Sequence, residues 1–151
     1  MFSGWFMEIF ETELNKLKTE INLYKDEADM WIVKGRISNS AGNLCLHLLG
    51  NVNHFIGHLI GGTGYMRNRE AEFSDKNVSR EELNNSIDAL IEVVKKSLPK
   101  LNDTDLNKTF PDKIGGKIRE YGFTLIHITN HFDYHLGQIN YHRRLIEGSG
   151  K

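Results

Sequence analysis

The chain has 151 residues, of which 39% are hydrophobic and 26% charged, and this composition excludes a disordered chain and predicts one globular domain over residues 1–151. Nineteen Lys and Arg against 20 Asp and Glu give a net charge of -1, which predicts that nucleic acid is not a partner. No apolar run approaches the roughly 20 residues of a membrane-spanning helix, and residues 1–10 lack the basic flank of a signal peptide, so we expect no membrane partner and a cytoplasmic location.

Four amphipathic helices are predicted, because apolar residues recur at three- and four-residue steps in four segments. The third helix has the clearest start, since Ser79 and Glu82 have the spacing of a capping box. Gly148 is the expected terminator of the fourth helix. The expected bounds, in chain order, are about Trp5 to Lys25, from a cap among residues 38–40 to Gly61, Ser79 to Pro99, and about Lys117 to Glu147.

Helices of this length bury their apolar stripes most simply as a four-helix bundle, so the predicted fold class is all-α. Two connections, residues 26–37 and 61–78, are too long for tight turns between antiparallel helices. The second is expected either to cross the bundle or to carry functional residues. The connection over residues 101–116 has room for a short extended piece.

Seven histidines are confined to the second and fourth predicted helices, and this distribution is the strongest functional signal in the sequence. His131 and His135 are four residues apart, so their imidazoles lie on one helical face about 6 Å apart and can bind one metal ion at about 2.1 Å each. A third ligand from a neighbouring helix would leave coordination positions open, as in catalytic sites. His47, within the apolar run of the second helix, is the predicted third ligand.

The same histidines also have a simpler interpretation, because a single His-x-x-x-His pair is a weak signal. Each ring would then be a buried imidazole that is hydrogen-bonded to a carbonyl or a carboxylate. His54 and His58 lie about 10 Å and 16 Å along the helix from His47, too far to share its ion, and are expected at the rim or surface. No chemistry is assigned to His142.

Other metal and nucleophile patterns are absent from the sequence. No Glu is followed three residues later by His, which excludes the Glu-x-x-His pairs of ferritin-like di-iron bundles. Neither His-Glu-x-x-His nor Gly-x-Ser-x-Gly occurs, and the glycines of residues 61–64 have no following lysine of a phosphate loop. The single cysteine, Cys45, excludes an internal disulfide and any multi-cysteine metal site, and we expect it in the core.

Residues 43–51 (NLCLHLLGN) and 125–139 (LIHITNHFDYHLGQI) resemble the DinB-like superfamily of metal-binding bundles, and the resemblance covers essentially the whole chain. In that superfamily a histidine of the second helix and a His-x-x-x-His of the fourth bind one divalent ion near one end of the bundle. His47 matches the first position, and His131 and His135 match the pair. Residues 134–138 (YHLGQ) keep the second histidine of the usual His-His-Arg-Gly-Gln but lack its first histidine and its arginine.

This resemblance implies an antiparallel four-helix bundle with a long crossover connection, a homodimer, and one divalent metal ion, zinc or nickel, as the cofactor. Characterised relatives use small thiols, as S-transferases, thiol-dependent isomerases or detoxification enzymes. We therefore expect a small-molecule thiol and an electrophile as partners. Three neutral imidazoles leave an ion its full positive charge, which favours the thiolate form of a bound thiol at neutral pH.

Three polar residues near the predicted ligands are candidates for contacts with the ligands or with substrate. Asn51 and Gln138 each lie about one turn from a ligand and are expected to hydrogen-bond water, substrate or a ligand. His127 lies one turn before His131 but about 12 Å along the axis from His135, which favours a role behind the ligands over ligation.

The residues leave three functional hypotheses. The first is a metal-dependent thiol S-transferase, or a related hydrolase or isomerase, that activates a thiol or water on the three histidines. The second is a metal-stabilised binding or assembly protein without turnover, whose ion would be closed by a fourth ligand such as His127, and the third is a bundle without metal. Arg67 and Arg69 in the crossover are expected either to meet substrate carboxylates or to lie in a solvated loop.

Overall fold

The computed structural model describes residues 2–148, so Met1 and residues 149–151 of the domain expected over residues 1–151 lie outside the described residues. The described chain is mostly helical, with five α-helices and one two-stranded antiparallel sheet, and the expected all-α class is confirmed in this broad sense. The elements are α1 (Phe2–Leu23), α2 (Ala41–Val52), α3 (Arg69–Ser74), α4 (Arg80–Ser97), β1 (Thr109–Ile114), β2 (Lys117–Glu120) and α5 (Tyr121–Gly148).

Each of the four long helices packs against two of the others. Helix α1 contacts α4 and α5, and α2 contacts the same two helices from its own side. Their inward faces form one apolar core, in which each fully buried Leu, Ile or Phe side chain contributes about 1.5–3 kcal/mol. Its fully buried members include Phe10, Leu14, Leu48, Ile87, Leu125 and Phe132.

Helix α4 begins where the capping box predicts. The Ser79 hydroxyl accepts a hydrogen bond from the backbone of Glu82 at 3.1 Å, and the Glu82 carboxylate accepts one from the backbone of Ser79 at 3.1 Å. Two backbone donors that a helix start leaves unpaired are thereby satisfied. The helix ends at Ser97, just before Pro99.

Helix α2 continues beyond Val52 as a π-helix over Asn53–His58, a form that the sequence pattern did not predict. The π-helix ends at His58, and a hydrogen-bonded turn follows it up to Gly61 and Gly62, where the sequence predicted the stop. Gly62 has a φ of 71° in the left-handed region that favours glycine. The long connection from there to α4 contains the short helix α3, which packs on α2. This connection therefore lies against the helix that carries His47.

The fourth long helix starts at Tyr121, so its predicted start near Lys117 was wrong. Residues 109–120 instead form an antiparallel hairpin in which Ile114 pairs with Lys117 across Gly115 and Gly116. Both glycines have a positive φ, 59° and 79°, which is the backbone of a two-residue hairpin turn and is incompatible with a helix start. No helix within residues 2–148 has the length and apolar character needed to cross a membrane.

Candidate metal centre

Helices α2 and α5 bring His47, His131 and His135 together. His47 lies on α2, while His131 and His135 lie one turn apart on α5, which packs against α2. One ligand nitrogen from each ring lies within 4.8 Å of the other two, and Nε2 of His47 is 3.1 Å from Nε2 of His131. The sequence predicted these three side chains as ligands, and the structure places them close enough together to bind one metal ion. We call them the histidine cluster.

The spacing of the histidine cluster suits a shared divalent ion. Two nitrogens that bind one ion at about 2.1 Å are at most about 4.2 Å apart, a limit that the Nε2 atoms of His47 and His131 meet. The widest pair needs an approach of no more than roughly 0.6 Å, which a rotation of an imidazole provides. No fourth His, Cys or carboxylate joins the group within residues 2–148, so a bound ion would keep positions for water or substrate.

Glu72 orients the ring of His47. Its Oε1 atom lies 2.9 Å from Nδ1 of His47, and because a carboxylate only accepts, Nδ1 donates and Nε2 keeps its lone pair toward the cluster. Arg67 holds the carboxylate in turn, donating from Nε to Oε2 at 2.8 Å and from Nη2 to Oε1 at 2.7 Å. Burial opposes the ionisation of Glu72, but the hydrogen bonds from Arg67 and His47 outweigh it and lower the pKa of this carboxyl.

Gln138 has the same role for His135. Its Oε1 atom accepts a hydrogen bond from Nδ1 of His135 at 2.7 Å, three residues away on α5. The other ring nitrogen, Nε2, is thereby left without its proton and available as a ligand. Two of the three rings thus have the outer hydrogen bond that usually fixes the tautomer and orientation of a metal-binding histidine.

The third ring, that of His131, has an unusual environment. Its Nδ1 atom is buried and has no hydrogen-bond partner among the described residues. Burial, followed by the charges of His135 and His47, lowers the pKa of His131 to about 4. Burial also lowers the pKa of His135, although the hydrogen bond to Gln138 opposes the shift. Both rings are therefore neutral at neutral pH, the form in which imidazole binds a metal ion.

Two clefts adjoin the histidine cluster on different sides, and they share no lining residue. The first, which we call the basic cleft, has a volume of about 320 Å³ and is lined by His47, Asn51, Phe55, Arg67, Arg69, Lys113, Ile114, Gly115, His127, Ile128 and His131. The second, the tyrosine cleft, has a volume of about 530 Å³ and is lined by Arg36, Ile37, Ser38, Asn39, Leu44, Tyr134, His135, Gln138, Tyr141, His142 and Leu145. Each cleft therefore has at least one member of the histidine cluster in its lining.

The other candidate site residues that the sequence indicated have different surroundings in the structure. Gln138 contacts a member of the histidine cluster, while Asn51 is buried and lines the basic cleft. His127 is exposed and stacks on Phe123 with ring centroids 6.4 Å apart, and it does not join the cluster. Arg67 is paired with Glu72 and its side chain is only 14% exposed, so it does not lie in a solvated loop; it also lines the basic cleft.

The histidines outside the cluster have structural contacts. His54 contacts Asp112 of the hairpin, with 2.9 Å between Nε2 and Oδ2. His142 is buried, and its Nε2 atom donates to the backbone carbonyl of Ile32 at 2.8 Å. Its Nδ1 atom then accepts from the hydroxyl of Tyr24 at 2.7 Å. These contacts leave no ring nitrogen of His142 for a ligand.

Glu72 is a residue of the candidate site that the sequence pattern did not predict. It lies 25 positions after His47, in the six-residue helix α3, which is too short to show a helical pattern of apolar residues. The sequence has one local signal for this helix, the N-cap at Asn68, whose side chain accepts from the backbone of Ala71 at 3.1 Å. That signal predicts a helix start but says nothing about the partner of Glu72.

A family model described as "Protein of unknown function (DUF1572)" matches residues 5–150 of the chain. Since this match covers nearly the whole sequence, the chain belongs to that family. No curated protein matches it. The description of that family names no activity.

Proposed function

We propose that this member of the DUF1572 family is a metal-dependent enzyme of the DinB-like superfamily, acting as a thiol S-transferase or as a related hydrolase or isomerase that activates a thiol or water. The proposed ligands of its one divalent ion are His47, His131 and His135. The resemblance described above favours zinc or nickel as this ion, a homodimer as the assembly, and a small thiol and an electrophile as the reactants.

The proposed fold is a four-helix bundle with a long crossover. The pairwise packing of α1, α2, α4 and α5 supports it, because each of these helices contacts two of the others. In this arrangement residues 59–79 form the crossover between α2 and α4, and the β1–β2 hairpin is an addition before the last helix. The crossover contributes Glu72 and Arg67 to the proposed site.

One observation carries the proposal: three histidines converge without a fourth protein donor among the described residues. Metal sites that serve stability alone are usually closed by four protein ligands, whereas catalytic sites keep a position for water or substrate. His127, the nearest candidate for a fourth ligand, is exposed and stacks on Phe123. An ion bound by the described residues would therefore keep an open coordination position for water or substrate.

The chain's own residues orient the histidine rings and give the reactants separate approaches to them. Glu72 and Gln138 each fix one ring so that its Nε2 atom is free for a ligand. The basic cleft adjoins His47 and His131, and the tyrosine cleft adjoins His135, so two reactants have separate approaches to the cluster. A divalent ion bound to the cluster would supply the positive charge that favours the thiolate form of a thiol reactant.

The decisive experiment is the metal content of untagged protein, measured by inductively coupled plasma mass spectrometry. The parent is compared with a His47→Ala, His131→Ala double variant and with a His54→Ala control, since His54 contacts the hairpin and lies outside the cluster. About one equivalent of zinc or nickel in the parent and control, and almost none in the double variant, is expected. Absence of metal from all three, even after incubation with both ions, overturns the proposal.

Turnover is tested separately on metal-loaded parent protein. A panel of small thiols is combined with electrophiles, and each electrophile is also incubated without thiol to detect hydrolysis. Metal-dependent product formation that the double variant lacks supports the enzyme. If the parent holds metal but neither transfers thiols nor hydrolyses or isomerises any substrate, the protein is a metal-stabilised binding or assembly protein.

A further inference from the structure

We propose that the basic cleft binds a small carboxylic acid that also carries an O–H or N–H donor. The inference deepens the proposed function and rests on it in one respect, because it takes the histidine cluster as the reaction centre beside the bound acid. The acid would be one of the reactants, or the part of a larger reactant that enters from this side.

Cationic side chains from two separate parts of the chain meet at this cleft. Arg69 comes from the start of α3 and Lys113 from strand β1, and within the described part of the chain neither side chain forms a salt bridge. Arg67 also lines the cleft, but its charge is balanced by Glu72. No Asp or Glu is among the described residues that line it. The carboxylate of Asp112 interacts with the charge of the neighbouring Lys113, but it contacts His54 and does not line the cleft. The cleft itself thus has an excess of positive charge, which favours an anionic ligand.

Arg69 is held in a position suited to this role. Its guanidinium lies 5.7 Å from the centre of the Phe73 ring, one turn further along α3. Phe73 in turn packs against His47, with ring centroids 4.9 Å apart. This contact keeps the Arg69 side chain on the side of α3 that faces the histidine cluster, while its N–H groups are free to bind a carboxylate.

Asn51 favours a ligand that carries a hydrogen-bond donor. The residue is only 8% exposed, and its Oδ1 atom is buried with no hydrogen-bond partner among the described residues, although the side chain lines the cleft. A buried acceptor without a donor is destabilising, so a ligand that donates to Oδ1 gains this interaction. Asn51 lies four residues after His47 on α2, which places the donor of the ligand near the histidine cluster.

The size of the cleft limits the ligand. A volume of about 320 Å³ is at the lower end of the roughly 300–1,000 Å³ found for small-molecule sites. It suits an acid of a few carbon atoms and not a peptide or polymer. A hydroxy acid such as L-malate has the required carboxylates and O–H donor, and succinate is the matched compound without the hydroxyl.

Isothermal titration calorimetry with L-malate tests whether binding needs the positive charges of the cleft. The protein is used as purified, and its metal content is measured on the same sample. The variants are Arg69→Gln and Lys113→Gln, and the control is Lys117→Gln, an exposed residue of β2 outside the cleft. We expect each cleft variant to bind L-malate roughly tenfold more weakly, the loss that follows from removing a charge-assisted hydrogen bond. The control should bind like the parent, and the neutral diamide of malate should not bind.

The contribution of the ligand's hydroxyl is tested by comparing the affinities of L-malate and succinate for the parent and for the Asn51→Ala variant. We expect the parent to prefer L-malate and the Asn51→Ala variant to have lost this preference. No L-malate binding, or binding that both cleft variants leave unchanged, overturns the inference; if metal is present in that sample, the proposed function still stands. If L-malate binding depends on the two cationic residues but the protein takes up no metal, the anion site is supported and the proposed metal function is overturned.

Discussion

Gly50 leaves the space that the carboxylate of Glu72 occupies. A Cβ atom at position 50 would overlap the Oε2 atom and the carboxyl carbon of Glu72. Gly50 lies three residues after His47 on α2, so Glu72 reaches Nδ1 of His47 across the surface of the glycine. The absence of a side chain at one helical position thus allows a residue of the crossover to orient a histidine of the cluster.

The first prediction is that Gly50→Ala weakens metal binding without changing any ligand. The added methyl group displaces the carboxylate of Glu72, and the ring of His47 loses the partner that fixes its tautomer. Loss of such an outer partner typically weakens metal affinity about 10- to 100-fold. Competition with a fluorescent zinc chelator measures the affinity, with Gly4→Ala, where a Cβ meets nothing within 4 Å, as the control. Equal affinities of the two variants would show that Glu72 does not support the site.

The second prediction concerns the charge of Glu72. Glu72→Gln keeps the size of the side chain but removes the negative charge that His47 and Arg67 contact, so the metal affinity should again fall by about 10- to 100-fold. Glu70→Gln is the matched control, because Glu70 is an exposed residue of the same helix α3. The same chelator competition measures both variants. An affinity of Glu72→Gln equal to that of Glu70→Gln would contradict the assigned role.

The histidine cluster was predictable from the sequence, because its geometry depends mainly on helical periodicity. A spacing of four residues places His131 and His135 on one face of any helix, and the apolar setting of His47 indicated that it faces the neighbouring helix. The start of α4 was predictable for a similar reason. Ser79 and Glu82 satisfy each other's backbone donors locally, without a contribution from the rest of the fold.

Glu72 and the β1–β2 hairpin were not predictable in the same way. The contact between Glu72 and His47 joins residues 25 positions apart and depends on how the crossover packs against α2, which no local pattern specifies. Residues 117–120 form a short strand in which three of the four residues are charged, so their pairing with β1 follows from the turn at Gly115 and Gly116 and from burial of Phe110 and Ile114. A glycine pair indicates a helix boundary and a hairpin turn equally well.

The third prediction separates stability from metal binding. Burial raises the pKa of Tyr24, so its hydroxyl stays protonated and donates to Nδ1 of the buried His142. Tyr24→Phe leaves that nitrogen without a donor and should lower the free energy of unfolding by about 1–3 kcal/mol. Urea denaturation measures this, with the exposed Tyr141→Phe as the control. Metal content should be unchanged, and a fall in it would show that this pair is coupled to the histidine cluster.

The fourth prediction is that the only thiol of the chain is unreactive in the folded protein. Cys45 is fully buried, and burial raises the pKa of its thiol to about 12, so almost no thiolate forms at neutral pH. A disulfide reagent such as dithionitrobenzoate should therefore label Cys45 only after denaturation, with the single cysteine giving about one equivalent of released chromophore. Cys45→Ala should keep its metal content and any thiol-transfer activity, because the proposed thiol comes from the substrate. Rapid labelling of the native protein, or loss of activity without loss of stability in Cys45→Ala, would instead make the chain itself the source of the nucleophile.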